Sequence, residues 1–206
     1  ENHFNCCSFS GGLTEYDLKS IQPISKLEIE GIVESILLVS GLPKRFTLVE
    51  SQDPNYASAI VRPLENGGFS REIHYNSSAL GSIKSQSRNH WSVTSIFAHE
   101  IGHHLSGHTL QVGGSRPSTE LEADQFSGHI LATMGSSLAD TTSALQSIPY
   151  RPQSATHPST TDRLVAITEG WHEGSSVIRA NEPIQGQYEV YDDNVPKFGA
   201  GATIPK

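Results

Sequence analysis

Apolar residues along this chain recur at helical spacing in some stretches and alternate in others, and the changes between the two set out its elements. Ser25 and Glu28 form a capping-box pair, after which Leu27, Ile32, Val33, Ile36 and Leu37 recur at helical spacing until Gly41 and Pro43 stop the helix. β-type runs follow at Phe46–Val49, Ala57–Val61 and Arg71–Tyr75, divided by Asp53-Pro54-Asn55 and by Asn66-Gly67-Gly68. They predict a small, mainly antiparallel sheet. Helical spacing returns from Trp91 to Ser106, with Val93, Ile96, Phe97, Ile101 and Leu105 on the apolar side. Gly113-Gly114 and Pro117 read as a loop, and a helix is expected from Thr119 to Met134 with Thr119 and Glu122 in capping-box positions. Further helices are expected over Ser136–Ser147 and Ser159–Trp171. Residues 1–23 read as an N-terminal arm, 24–174 as one α+β domain, and 175–206, rich in Gly, Pro and Asn, as an extended tail.

Composition narrows the classes. At 206 residues the chain is long enough to bury a substantial core. It lacks the run of roughly 18 apolar residues that a transmembrane helix needs. The formal charge is −8 and the 14 basic residues are scattered, which argues against a nucleic-acid partner. Cys6 and Cys7 are adjacent, unsuited to bridging each other and too few for a disulfide framework. The first residue is Glu1, from which we expect that an upstream segment was removed. Ten histidines is a high number, and these change the picture.

His99-Glu100-Ile101-Gly102-His103 lies on the expected third-quarter helix of the apolar pattern, Trp91–Ser106. Residues four apart share a helix face, so two imidazoles can bind one tetrahedral metal ion there. Glu100, next to the first ligand, can take a proton from a metal-bound water. A third ligand must come from elsewhere. An extended histidine motif fails, because Ser106 and Thr109 stand where Gly and His are required. His104 and His108 fall off the ligand face and read as surface histidines or as supports for the ligands. Glu120 and Asp124 share a face of the next helix, while Glu122 points away. A Glu120 ligand would complete a two-His, one-Glu site, with Asp124 accepting a hydrogen bond from a ligand imidazole. An acidic first turn complementing the helix dipole also explains Glu120 and Glu122, but explains Asp124 poorly.

These motifs, followed by Thr156-His157-Pro158 and by Arg163 six residues after the histidine, resemble the HtpX and CAAX-prenyl-protease family of zinc metallopeptidases. The resemblance covers about residues 24–172 and implies a compact gluzincin, a zincin-like fold with an active-site helix. It implies one zinc ion on His99, His103 and Glu120, with Glu100 as general base. It further implies that His157 helps to stabilise the oxyanion and that Arg163 pairs with acidic groups supporting the site, Asp124 among them. An edge strand ahead of the active helix binds extended substrate in the family, and Arg71–Tyr75 matches its position, with Ile73 and Tyr75 as substrate-binding residues. Many members carry transmembrane helices and this chain has no such stretch, which points to an exported relative, periplasmic or secreted. The expected activity is zinc-dependent endopeptidase cleavage of a protein or peptide held in extended form. The rival is a binding or chaperone-like module whose zinc is structural or latent, Cys6 or Cys7 supplying a fourth ligand.

Overall fold

A computed structural model describes residues 4–10, 21–111 and 116–181. Its elements in chain order are β1 (Phe4–Ser10), α1 (Lys26–Ser40), β2 (Thr47–Glu50), β3 (Asn55–Pro63), β4 (Phe69–Tyr75), α2 (Ser77–Ser87), α3 (Trp91–Leu105), a 3-10 turn (His108–Leu110), α4 (Pro117–Thr133), α5 (Leu138–Gln146) and α6 (Thr160–Asn181). The molecule is α+β, as its pattern predicts.

Local chemistry sets most boundaries. The Ser25 hydroxyl accepts from the Glu28 N–H and starts α1, and Gly41 ends it with φ 66°, a left-handed conformation glycine adopts freely. Pro117 does not lie in a loop: it opens α4 at a position whose N–H has no helical partner anyway. Thr119 is therefore inside the first turn, and its hydroxyl reaches back to the Arg116 backbone. α2 has no counterpart in the sequence expectations. Asn76 caps it by accepting from the Ala79 N–H, and only Ala79, Leu80 and Ile83 give it an apolar face. α6 continues to Asn181, past the expected start of an extended tail at residue 175. Its Gly170 and Gly174 do not break the helix, because a Cβ at either would overlap a carbonyl oxygen of α4. The glycines are where two helices meet.

The sheet order is β1-β3-β4-β2, antiparallel for β1/β3 and β3/β4 and parallel for β2/β4. This corrects the expectation for Arg71–Tyr75. β4 is an interior strand, paired on both sides, so no extended peptide can add to it. α3 lies against β3 and is covered by the other helices, so that every residue from Ser92 to His104 is buried. A helix buried all round carries its apolar and polar groups alike into the core. Among the described residues no helix is long and apolar enough to cross a membrane.

Candidate metal centre

Two helices build the centre. α3 carries His99 and His103 one turn apart on one face, and α4 presents Glu120 from its first turn. The two imidazole Nε2 atoms are 3.0 Å apart. Glu120 Oε2 lies 3.6 Å from His99 Nε2, and Glu120 Oε1 lies 3.5 Å from His103 Nε2. All three residues are buried, and the cluster can hold a metal ion.

The outer ring nitrogens are already committed. His99 Nδ1–H donates to Asp124 Oδ1 at 2.8 Å. Asp124 is held in turn by Arg163 of α6, whose Nε and Nη2 donate to its two oxygens at 2.7 and 2.8 Å. On the other side His103 Nδ1 is 3.0 Å from His108 Nδ1, and His108 Nε2 is 3.1 Å from Glu122 Oε2. A carboxylate only accepts, so His108 Nε2–H donates to Glu122 and His103 Nδ1–H donates to His108. When both rings are neutral, both Nε2 atoms therefore direct lone pairs toward the Glu120 carboxylate. Three acceptors around one buried point are what a cation satisfies.

Electrostatics agree with this arrangement. Burial disfavours charge on His99, but the Asp124 carboxylate outweighs it and raises the imidazole pKa to about 10. His103, pushed down by burial and by neighbouring His99, falls to about 2. Burial opposes ionisation of Glu120, yet hydrogen bonding and charge from His99 hold its carboxyl far below the usual range. A proton entering this cluster is thus held on His99 Nε2, facing the Glu120 carboxylate, where a cation would replace it. Glu100 is fully buried, which pushes its carboxyl up to about 7, with His99 opposing. Its Oε2 accepts from the Ala59 N–H of β3 at 2.7 Å, and its Oε1 has no hydrogen-bond partner among the described residues.

The remaining sequence candidates divide. Asp124 and Arg163 lie where the spacing and the resemblance put them. His157 is half-buried, shares a hydrogen bond with the Thr156 hydroxyl at 2.8 Å, and lines one small cavity together with Arg163. Ile73 and Tyr75 are core residues. Ile73 is fully buried, and Tyr75 packs edge-on against Phe97. His104 is neither a ligand nor a surface residue: its Nε2–H donates to the Glu72 carbonyl at 2.9 Å, its ring stacks on Phe46, and burial lowers it to about 4. His74 is bound at 2.6 Å by Glu72, which also accepts from Arg62. Sequence spacing missed two contacts, Ala59 to Glu100 and His108 to His103. Each joins segments that helical spacing does not relate. Comparison with known protein families, with curated proteins and with solved structures finds no match for this chain.

Proposed function

We propose that the chain is a zinc-dependent metalloendopeptidase of zincin-like fold. The observation that carries the proposal is a buried two-imidazole, one-carboxylate cluster with the free oxygen of Glu100 beside it. That donor set leaves one of four tetrahedral positions open, as catalytic zinc sites do. One ligand atom from each of the three residues lies within 4.8 Å of the other two, close enough for one ion to be shared. The order of motifs resembling the HtpX and CAAX-prenyl-protease family supports the same reading.

A zinc ion bound there would polarise the scissile carbonyl and acidify the attacking water. The chain's own groups do the rest. Ala59 fixes one oxygen of Glu100, leaving the other to receive the proton and pass it to the leaving amine. Asp124 and His108 orient the two ligand imidazoles through their outer nitrogens. His157, on the Arg163 side of the centre, is the proposed oxyanion donor.

The test is chelator-sensitive hydrolysis of casein by the zinc-loaded chain. Glu100→Gln should keep its zinc and lose roughly 10²–10⁴-fold in turnover, because an amide cannot accept the proton. Wild-type turnover by a zinc-replete Glu100→Gln protein would refute the mechanism.

A further inference from the structure

The metal centre uses one face of α3, and the opposite face lines a cavity that the centre does not. At about 100° per residue, Ile101, His104 and Leu105 fall on the far side of the helix from His99 and His103. With the end of α1, the segment that follows it and the start of β4, they enclose a cavity of about 270 Å³. Its apolar walls are Leu37, Leu42, Pro43, Phe46, Ile101 and Leu105. Among them Leu42 and Leu105 remain 36% and 44% exposed, apolar surface for a ligand to cover. His104 closes one wall rather than offering a donor, since its Nε2–H is spent on the Glu72 carbonyl and its ring stacks on Phe46.

The guanidiniums of Arg45 and Arg71 line the same cavity. Neither has a hydrogen-bond or ion-pair partner among the described residues, and no acidic side chain lines the cavity. Arg62 and Arg163, by contrast, are each held by a carboxylate. The chain carries 22 acidic and 14 basic residues, so two cations left together without a counter-charge stand out. Arg71 is only partly exposed, and is therefore short of water as well as of a counter-ion. Apolar walls with a few polar groups converging on them are how small-molecule sites are built, and a guanidinium fork matches a carboxylate.

We propose that this cavity binds an aliphatic carboxylate of roughly eight to ten carbons, its chain against the leucines and its head group on Arg45 and Arg71. The length follows from the volume, which holds about nine groups the size of a water or a methylene at ~30 Å³ each. The proposal is independent of the metallopeptidase reading, because none of the lining residues belongs to the cluster that can hold a metal ion.

Isothermal titration of decanoate, below its micelle concentration, into the full chain without added metal tests it. One decanoate per chain should bind with a Kd on the order of 10–100 µM, ordinary for a ligand of this size. From hexanoate to decanoate each added methylene should tighten binding roughly fourfold, with no further gain beyond about ten carbons, where the cavity is full. Decanol and decylamine share the chain but lack the anion, and should bind roughly tenfold more weakly. Arg45→Gln and Arg71→Gln should each weaken decanoate by roughly tenfold and leave decanol unchanged. Leu105→Trp fills the cavity from a partly exposed position and should abolish binding of all three. Melting of each variant without ligand checks its fold, and the exposed Arg45 keeps the test decisive if Arg71→Gln is destabilised. Three results overturn the proposal: no saturable decanoate binding, decanol binding as tightly as decanoate, or decanoate binding untouched by Arg45→Gln and Leu105→Trp. Binding to vesicles of anionic phospholipid with none to free decanoate also overturns it, and makes this surface a lipid-docking face instead.

Discussion

Asp124 serves two partners at once, orienting His99 and neutralising Arg163, and both are buried with it. Asp124→Asn keeps the shape but leaves the Arg163 guanidinium inside without its counter-charge. The expected loss is about 3–5 kcal/mol of stability by chemical denaturation, the usual cost of breaking a buried pair from one side. Zinc affinity, read by competition with a chromophoric chelator, should fall roughly 10–100-fold. His157→Phe should instead lower kcat with little change in KM or zinc content; an unchanged kcat removes His157 from the mechanism. Tyr56 gives a pH signature distant from catalysis. Burial raises its phenol to about 12, with Arg151 opposing. The folded state therefore disfavours tyrosinate, so this contribution is whole below pH 10, the ordinary tyrosine value, and is lost as pH rises through about 12. Tyr56→Phe should flatten that alkaline fall by about 3 kcal/mol in denaturation curves. At this scale the sequence was most legible where helical spacing fixes direction. It separates Glu120 from Glu122 and brings Asp124 toward the ligands. His108 takes the supporting role that was one of its two readings, although continued helical rotation would carry it to the far face; the chain leaves α3 at Ser106, and Gly107 with φ 70° turns it back.

Among the elements, α4 and α6 meet along small residues. A Cβ at Gly128 would overlap the Ile167 carbonyl oxygen, and one at Gly170 would overlap that of Gln125. This close approach sets Arg163 on α6 within reach of Asp124 on α4. Gly170→Ala should force the helices apart, costing about 3 kcal/mol and weakening zinc binding together with stability. Gly31→Ala is the control of opposite sign. Gly31 lies inside α1 with open space around it, so alanine there should stabilise by roughly 0.5–1 kcal/mol through helix propensity. If both substitutions shift the denaturation midpoint the same way, contact between α4 and α6 is not what requires glycine. The same residues show why element boundaries were partly hidden. Glycine ends α1 and sits within α6, and only the neighbouring helix tells the two uses apart. Ser-rich α2 offers too few apolar positions to declare a helix, since its stability comes from packing rather than pattern. Strand order was not legible at all. Pairing partners for β4 come from distant segments, and β1 lies in a stretch whose Gly-Gly pair and lack of period read as an arm.

For the molecule as a whole, the centre ties together the sheet and three of the helices packed around it. α3 supplies two of the groups that could hold an ion and, through Glu100, a bond to β3; α4 supplies the third; Asp124 brings in α6. Metal bound by these groups is bound by the folded state alone, because the unfolded chain cannot hold His99, His103 and Glu120 within reach of one ion. Binding free energy then adds directly to folding free energy. At free zinc roughly 1,000 times the dissociation constant the gain is about 4 kcal/mol. For a chain of this size that raises the melting temperature by roughly 8–16 °C, at about 2–4 °C for each kcal/mol. His103→Ala should melt at the same temperature with and without zinc, since two remaining ligands cannot close the site. Glu100→Gln separates folding from chemistry: it should keep the full zinc-dependent rise while losing turnover. Differential scanning calorimetry across a zinc titration reads all three proteins. A rise of equal size in wild type and His103→Ala would mean that zinc binds elsewhere, and the assignment of the ligand triad would fall with it.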